Sequence, residues 1–191
     1  MKKLHLILPV VLIMILAACA TPPTEEMNRA KDAVTRAESD ANAVAYAPTA
    51  LTLARDALTR MQNESDAKRY EAAKNFAEEA IRNAERAIAE GRSGAGRAKE
   101  EAESLINSLP PQLAETSNSL NAAKEVQGIQ LDFAVLQADL ESAYRTYDDA
   151  RQSLQVQNYT DAIMHGQTVR SVLAGINGRL TGGAVVASRK Q

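Results

Sequence analysis

The chain has little of the residues on which many enzyme classes depend. Its 191 residues include one cysteine, two histidines, two phenylalanines and no tryptophan. A single cysteine cannot form an intramolecular disulfide or a metal site built from several thiolates. Only His165 lies outside the first 18 residues, so one mature copy cannot assemble a Cys–His pair or a multi-histidine metal site. We therefore expect no enzymatic activity, no catalytic residue, no metal site and no cofactor, with His165 a partly buried structural residue.

The chain also lacks an excess of positive charge. It carries 22 basic and 24 acidic side chains, for a formal net charge of −2. Nucleic-acid-binding domains present a basic face. The near balance of basic and acidic side chains argues against a nucleic-acid partner.

The N-terminus has the pattern of a bacterial lipoprotein signal peptide. Lys2 and Lys3 precede an apolar run from Leu4 to Leu16, which is shorter than the roughly 20 residues that a membrane-spanning helix requires. Leu16, Ala17, Ala18 and Cys19 match a lipobox. This pattern predicts cleavage before Cys19 and acylation of its thiol, including palmitate-type chains.

Acylation of Cys19 predicts a membrane as the first partner of the chain. Two or more acyl chains hold a protein on a bilayer durably. Ala20 follows the modified cysteine, where an aspartate would favour retention in the inner membrane. We therefore expect a protein of the cell envelope, anchored to the outer membrane and facing the periplasm.

The composition predicts an all-α fold. The chain contains 35 alanines, and alanine is the strongest helix former. Apolar residues recur at alternating spacings of three and four, which is the period of an amphipathic helix. We predict an elongated bundle of antiparallel helical hairpins, with packing like that of tetratricopeptide repeats but without true repeats of that family.

Prolines and glycines divide the predicted helices. Thr24 has the chemistry of an N-cap, and Pro48 predicts a kink or a fresh helix start. The segment Gly91–Arg97 lacks the Lys and Ser or Thr of a phosphate-binding loop and predicts a hinge or helix break. Pro110 and Pro111 mark a further boundary. The chain is thus divided into a signal peptide (1–18), a lipidated tether (19–24), a first helical hairpin region (25–90), a hinge with connecting helices (91–128), a second helical hairpin (129–181) and a flexible tail (182–191).

The two predicted hairpins look like copies. Ala54, Arg55 and Leu58 followed by Tyr70 match Ala150, Arg151 and Leu154 followed by Tyr159. In this alignment the first hairpin is longer by seven residues between the leucine and the tyrosine. Such an insertion is about two helical turns and keeps the apolar face in phase.

Part of the chain resembles a known but uncharacterised family. The pattern consists of Ala45, Tyr46, Ala47, Pro48, Leu51, Ala54 and Leu58, followed by Tyr70, Ala73, Ala77 and Ala80. It resembles a bacterial family of helical lipoproteins with a Tyr-Ala-Pro signature, catalogued as a domain of unknown function, over about residues 26–90. The resemblance implies a helical lipoprotein and no specific activity.

Tyrosines are the candidate partner-binding residues. Tyr46, Tyr144 and Tyr147 are of a type that is favoured at interfaces, although tyrosine also fills gaps in alanine cores. We predict a scaffold or adaptor that binds an envelope protein through a helix face. The alternative is a carrier that holds a lipid or small hydrophobic ligand between the hairpins. Self-association also stays open, since regular heptads pair between chains as readily as within one.

Overall fold

All regular elements of the described chain are α-helices. The computed structural model describes residues 21–127 and 130–188, with side chains described up to Val185. The helices are α1 (Thr24–Ser39), α2 (Ala41–Tyr46), α3 (Pro48–Asp66), α4 (Tyr70–Asn107), α5 (Leu109–Glu125), α6 (Phe133–Gln155) and α7 (Tyr159–Ser188). The predicted all-α fold class is therefore confirmed. The chain forms two compact units, of which unit 1 extends to Arg92 and unit 2 starts at Ser93, inside α4.

Unit 1 is packed mainly with alanine. Helices α1, α3 and the first part of α4 bury one face each around a common core, in which Met27, Val34, Leu51 and Met61 are the larger side chains. Helix α3 begins at Pro48, as predicted, because proline lacks the N–H that the first turn leaves unpaired. Helix α1 begins one residue earlier than predicted, with Thr24 inside the helix and Pro23 at the N-cap position.

A short helix separates α1 from α3. Asp40 has an extended backbone, with φ −82° and ψ 111°, and its carboxylate accepts a hydrogen bond from the Ala43 amide at 2.9 Å. This cap starts α2 as a separate helix, whose buried face is rotated relative to that of α1. The spacing of apolar residues places Val44 on one face of the first helix with Ala33 and Ala37. This prediction is wrong, because Val44 is 50% exposed and Ala43 is fully buried.

The predicted hinge at Gly91–Arg97 is also wrong, because α4 runs through it without a break. Glycine in a helix interior costs only about 1 kcal/mol relative to alanine. Gly91 is buried where an ideal Cβ would lie 2.5 Å from the Ala43 amide nitrogen. The glycine therefore admits the backbone of α2 and does not end α4.

Unit 2 has a core of larger aliphatic side chains. Helices α5, α6 and α7 bury Leu109, Leu113, Leu120, Leu136, Leu140, Val169, Leu173 and Ile176 together. Pro110 and Pro111 lie in the first turn of α5, directly after α4 ends. The polar stretch after them is helical to Glu125. Helix α6 begins at Phe133, where Asp132 accepts a hydrogen bond from the Val135 amide at 3.1 Å; Ile129 lies outside the described residues.

The predicted helix end at Gly182 and Gly183 is wrong. Helix α7 continues to Ser188, so the predicted tail at 182–191 starts inside a helix, and residues 189–191 lie outside the described part. Gly183 packs closely on unit 2, since a Cβ there would lie 2.8 Å from Leu131 Cδ1. Close packing of this kind favours helix continuation over a C-terminal cap.

The two hairpin turns have the same backbone geometry. Lys68 and Gln157, 89 positions apart, each have a positive φ, of 58° and 62°. In each turn three successive amides donate to equivalent carbonyl oxygens; the donors are Ala67, Lys68 and Arg69 in one turn and Val156, Gln157 and Asn158 in the other. The proposed seven-residue insertion is therefore wrong. The hairpins correspond at a constant spacing of 89 positions.

Burial follows the same spacing along the second helix of each hairpin. Six buried positions of α4 match six buried positions of α7, namely Ala73, Ala77, Ala80, Ala84, Ala87 and Gly91 with Ala162, Gly166, Val169, Leu173, Ile176 and Leu180. Helices α1 and α5 correspond at 86 positions, since their C-terminal ends then coincide and three buried pairs match, namely Met27 with Leu113, Ala30 with Thr116 and Val34 with Leu120. Exposed Ser119 stands in place of buried Ala33. Each unit thus contains one copy of a three-helix arrangement.

Candidate functional site

The structure places the predicted tyrosines in different environments. Tyr144 on α6 is 42% exposed. Tyr147, one turn later, is half-buried against two core clusters of unit 2, and the Arg151 guanidinium lies 5.8 Å from its ring centroid. Tyr46 is half-buried at the end of α2 in unit 1 and has an interaction partner. Tyr144 is the one of these three that presents an exposed ring.

Cys19, the predicted lipidation site, lies outside the described residues, which begin at Thr21. Within the described ranges, none of the helices has the length and apolar content needed to cross a bilayer. The same ranges contain no cluster of three or more His, Cys, Asp or Glu side chains with metal-binding geometry. His165 is half-buried on α7.

A groove in unit 1 is the strongest candidate site. It lies between α1 and α4, has a volume of about 500 Å³, and is lined by Arg29, Asp32, Ala33, Arg36, Ile81 and Glu85. Buried Ala33 and half-buried Ile81 supply the apolar part of its surface. The four charged side chains around them are exposed, and half-buried Ile81 keeps part of its apolar surface open to solvent. We call this surface the α1–α4 groove.

The charges of the α1–α4 groove have no partners in the described chain. Arg29 and Arg36 are seven residues apart, which places them two helical turns and about 10.5 Å apart along the axis of α1. Neither guanidinium makes an ion pair or hydrogen bond with a described residue, and the same holds for Asp32 and Glu85. By contrast, Glu38 on α1 pairs with Arg55 at 2.6 Å. The groove therefore keeps charges of both signs available for a partner.

The arginines are not required by the three-helix packing. At the corresponding positions of α5, Glu115 stands in place of Arg29 and Ala122 in place of Arg36, and α5 has no arginine. On α7, Arg170 corresponds to Ile81 and Ala174 to Glu85. Since the second copy forms the same three-helix arrangement without this arginine pair, the pair is a property of unit 1 alone.

A second, smaller cavity in unit 2 is less suited to a partner. It has a volume of about 260 Å³ and is lined by Glu101, Ser104, Leu105, Ser108, Gln167 and Arg170. The Ser108 hydroxyl donates to the Leu105 carbonyl oxygen at 2.6 Å, and the Gln112 side chain donates to the Ser108 carbonyl oxygen at 2.8 Å. These hydrogen bonds give partners to carbonyl oxygens at the C-terminal end of α4. Part of this polar surface is thus already used by the fold.

The turn between α3 and α4 holds a fixed ion pair. The Arg69 guanidinium donates two hydrogen bonds to Glu64, one of them from Nη2 to Oε1 at 2.9 Å. This hydrogen bonding lowers the pKa of the Glu64 carboxyl below its ordinary value and raises the pKa of Arg69. Lys68, between them at the apex of the turn, is exposed and has no ion pair with a described residue.

Sequence inspection did not find the α1–α4 groove. Its only signal is two arginines seven residues apart on one helix, which is also the pattern of an ordinary solvated face. The absence of carboxylate partners depends on side-chain geometry. The groove wall depends on which face of α4 packs on α1.

Comparison with known proteins connects part of the chain to a family. Residues 25–105 match the model of a protein family described as a domain of unknown function (DUF4398). This match confirms the resemblance to an uncharacterised family. No curated protein and no solved structure matches the chain.

Proposed function

We propose that this chain, whose residues 25–105 match the model of that family, is a lipid-anchored adaptor of the bacterial cell envelope without enzymatic activity. In this proposal the α1–α4 groove binds a protein partner. The observation that carries it is the unpaired pair Arg29 and Arg36 beside an apolar surface, in a scaffold whose second copy lacks both arginines. Arginines next to apolar surface are enriched where proteins bind proteins.

The membrane anchor is supported by the N-terminal sequence. Two lysines, a short apolar run and the tetrapeptide Leu16-Ala17-Ala18-Cys19 together form the signal for export and acylation. Ala20 after the modified cysteine supports transfer to the outer membrane, with the helical units in the periplasm. The anchor confines the adaptor and its partner to two dimensions, which raises their effective concentration.

The charge order of the groove defines the partner. Along α1 the signs alternate as Arg29, Asp32 and Arg36. A partner helix that lies along α1 complements them with acidic side chains seven residues apart and a basic side chain between them. An apolar residue on the same face of the partner then covers Ile81 and Ala33.

The test is a crosslinking pull-down of the native lipidated protein from detergent-solubilised membranes. We compare wild type with an Arg29→Ala, Arg36→Ala double variant. Arg145→Ala is the matched control, since Arg145 is an exposed arginine without an ion pair on α6. Loss of two interface charges is expected to lower recovery of the partner about tenfold or more, which is about 1.4 kcal/mol of binding free energy.

Further controls separate the possible failures. Exposed substitutions of this kind change stability by about 0.5 kcal/mol or less, so thermal unfolding must be unchanged in both variants. A Cys19→Ala form tests whether recovery requires the anchor. Equal recovery by the double variant contradicts the groove assignment, and recovery of lipid without any protein supports the carrier alternative.

A further inference from the structure

The position of the anchor relative to unit 1 determines which part of the unit faces the bilayer. This inference rests on the proposed acylation of Cys19. Thr24, the first residue of α1, is five residues after Cys19, and five fully extended residues span at most about 17 Å. Helix α1 has 16 residues and is therefore about 24 Å long. The first turn of α1 must stay close to the membrane surface.

Two ion pairs identify what lies beside each end of α1. Glu26 in its first turn pairs with Lys74 near the start of α4 at 3.8 Å. Glu38 in its last turn pairs with Arg55, in the first half of α3. Helices α1 and α3 are thus antiparallel, and the turn between α3 and α4 lies at the N-terminal end of α1.

The sides of unit 1 are not suited to lying flat on a bilayer. A helix that rests in the interface presents a broad apolar face. The large hydrophobic side chains that are exposed in unit 1 are Val44 and Leu53, which are on different helices. The described surface of α1 carries Glu25, Lys31, Asp32 and Arg36 on its exposed positions. No described side of the unit therefore offers a broad apolar face to the acyl region.

We propose that the end of unit 1 formed by the first turn of α1 and the turn between α3 and α4 rests on the lipid surface, with the apex at Lys68 closest to the headgroups. At this end Arg69 pairs with Glu64 and Lys74 pairs with Glu26, whereas Lys68 is an exposed cation at the apex. The corresponding residue of the second turn, Gln157, is uncharged. The exposed carboxylates Glu25, Asp66 and Glu71 at the same end outnumber this single positive charge, so the tether, not electrostatic attraction, sets the position.

This orientation also determines how the α1–α4 groove runs relative to the bilayer. Arg29 and Arg36 lie about 7.5 and 18 Å along the axis of α1 from Thr24. The groove therefore runs away from the bilayer, and a partner helix bound along it stands upright on the membrane. Such a partner must extend from the lipid surface into the periplasm.

The lone native cysteine makes a direct test available. In the acylated protein Cys19 is blocked, so a second cysteine introduced at one site accepts a fluorophore uniquely. Full-length Lys68→Cys and Asn42→Cys proteins are labelled with bimane and reconstituted in phosphatidylethanolamine–phosphatidylglycerol vesicles. Asp66→Cys is a second probe in the exposed turn, and circular dichroism checks that each variant is folded. A fraction of the lipids carries a headgroup nitroxide that quenches nearby fluorescence.

The expected result is at least threefold stronger quenching at position 68 and position 66 than at position 42, which lies at the opposite end of α1. Because the tether sets the position, the difference must persist in 0.5 M salt. Equal or reversed quenching in protein whose acylation is verified by mass spectrometry overturns the orientation alone. An unacylated Cys19 overturns the proposed anchor and this inference with it.

Discussion

The two units build the same three-helix arrangement from different side chains. In unit 1 the seam of α4 is alanine at five positions and glycine at the sixth, whereas the corresponding seam of α7 includes Val169, Leu173, Ile176 and Leu180. Alanine buries only one methyl group, about 0.8 kcal/mol, so an alanine seam gains stability through close backbone approach and many short contacts. The aliphatic seam gains it through buried apolar area. One topology thus has two packing solutions.

The largest effects are expected when, at one pair of corresponding positions, each seam receives the side chain of the other. Leu173→Ala in unit 2 is expected to lower the free energy of unfolding by about 2–5 kcal/mol, because it leaves a cavity. Ala84→Leu, the reverse change at the corresponding position of unit 1, is expected to cost about 1–3 kcal/mol, because it overpacks a fully buried site.

Urea unfolding followed by circular dichroism measures both changes. Leu173→Met is the volume-conserving control, with an expected loss under about 1.5 kcal/mol. An unchanged unfolding midpoint for Ala84→Leu would contradict the close packing of the helices that we describe in unit 1.

A smaller effect distinguishes glycines along α4. Gly91→Ala is expected to destabilise the protein by about 1–3 kcal/mol, because the added Cβ would meet the backbone of Asn42 and Ala43 at 2.5–2.7 Å. Gly96→Ala is its matched control in the same helix, where no atom lies within 4 Å of the added Cβ. This control is expected to stabilise the helix by up to about 1 kcal/mol. Thermal unfolding of the two variants gives the sign of each effect, and equal signs would contradict the role assigned to Gly91.

The smallest effects test the feature that the two units share. Lys68→Gly and Gln157→Gly are each expected to raise the free energy of unfolding by about 0.5–1 kcal/mol, because a positive φ strains any residue with a Cβ. Ser65→Gly is the control, because Ser65 lies in the last turn of α3, three residues before Lys68. This change is expected to lower the free energy of unfolding by about 0.5 kcal/mol. Chemical denaturation resolves these differences. A gain in one turn and a loss in the other would show that the two turns are not equivalent.

The sequence predicted the helices better than their ends. The spacing of apolar residues predicted amphipathic helices, because an amphipathic period survives small errors in register. It missed the break at Asp40 and predicted breaks at Gly91 and Gly182 that do not exist. In these places the helix propensities of glycine and of other residues differ by only about 1 kcal/mol. Tertiary contacts outweigh a difference of that size.

The candidate site shows the same limit. The N-terminal pattern around Cys19 is confined to a few neighbouring residues, so sequence alone suffices to predict lipidation there, and this stays a prediction. Tyr144 and Tyr147 were equal candidates by sequence, and only packing separates the exposed ring from the one held in the core. The α1–α4 groove requires two helices that are more than 40 residues apart in the chain, represented by Arg36 and Ile81.

For this protein, composition and periodicity alone determined an all-α chain of hairpins, and the N-terminal residues predict an export signal. They suffice because helix formation and signal recognition depend on residues within a few turns of one another. Tertiary structure decided the continuity of α4, the true register of the repeat and the unpaired state of Arg29 and Arg36. Each of these depends on close approach between distant segments, where a missing Cβ or an absent carboxylate becomes visible only after the helices have packed.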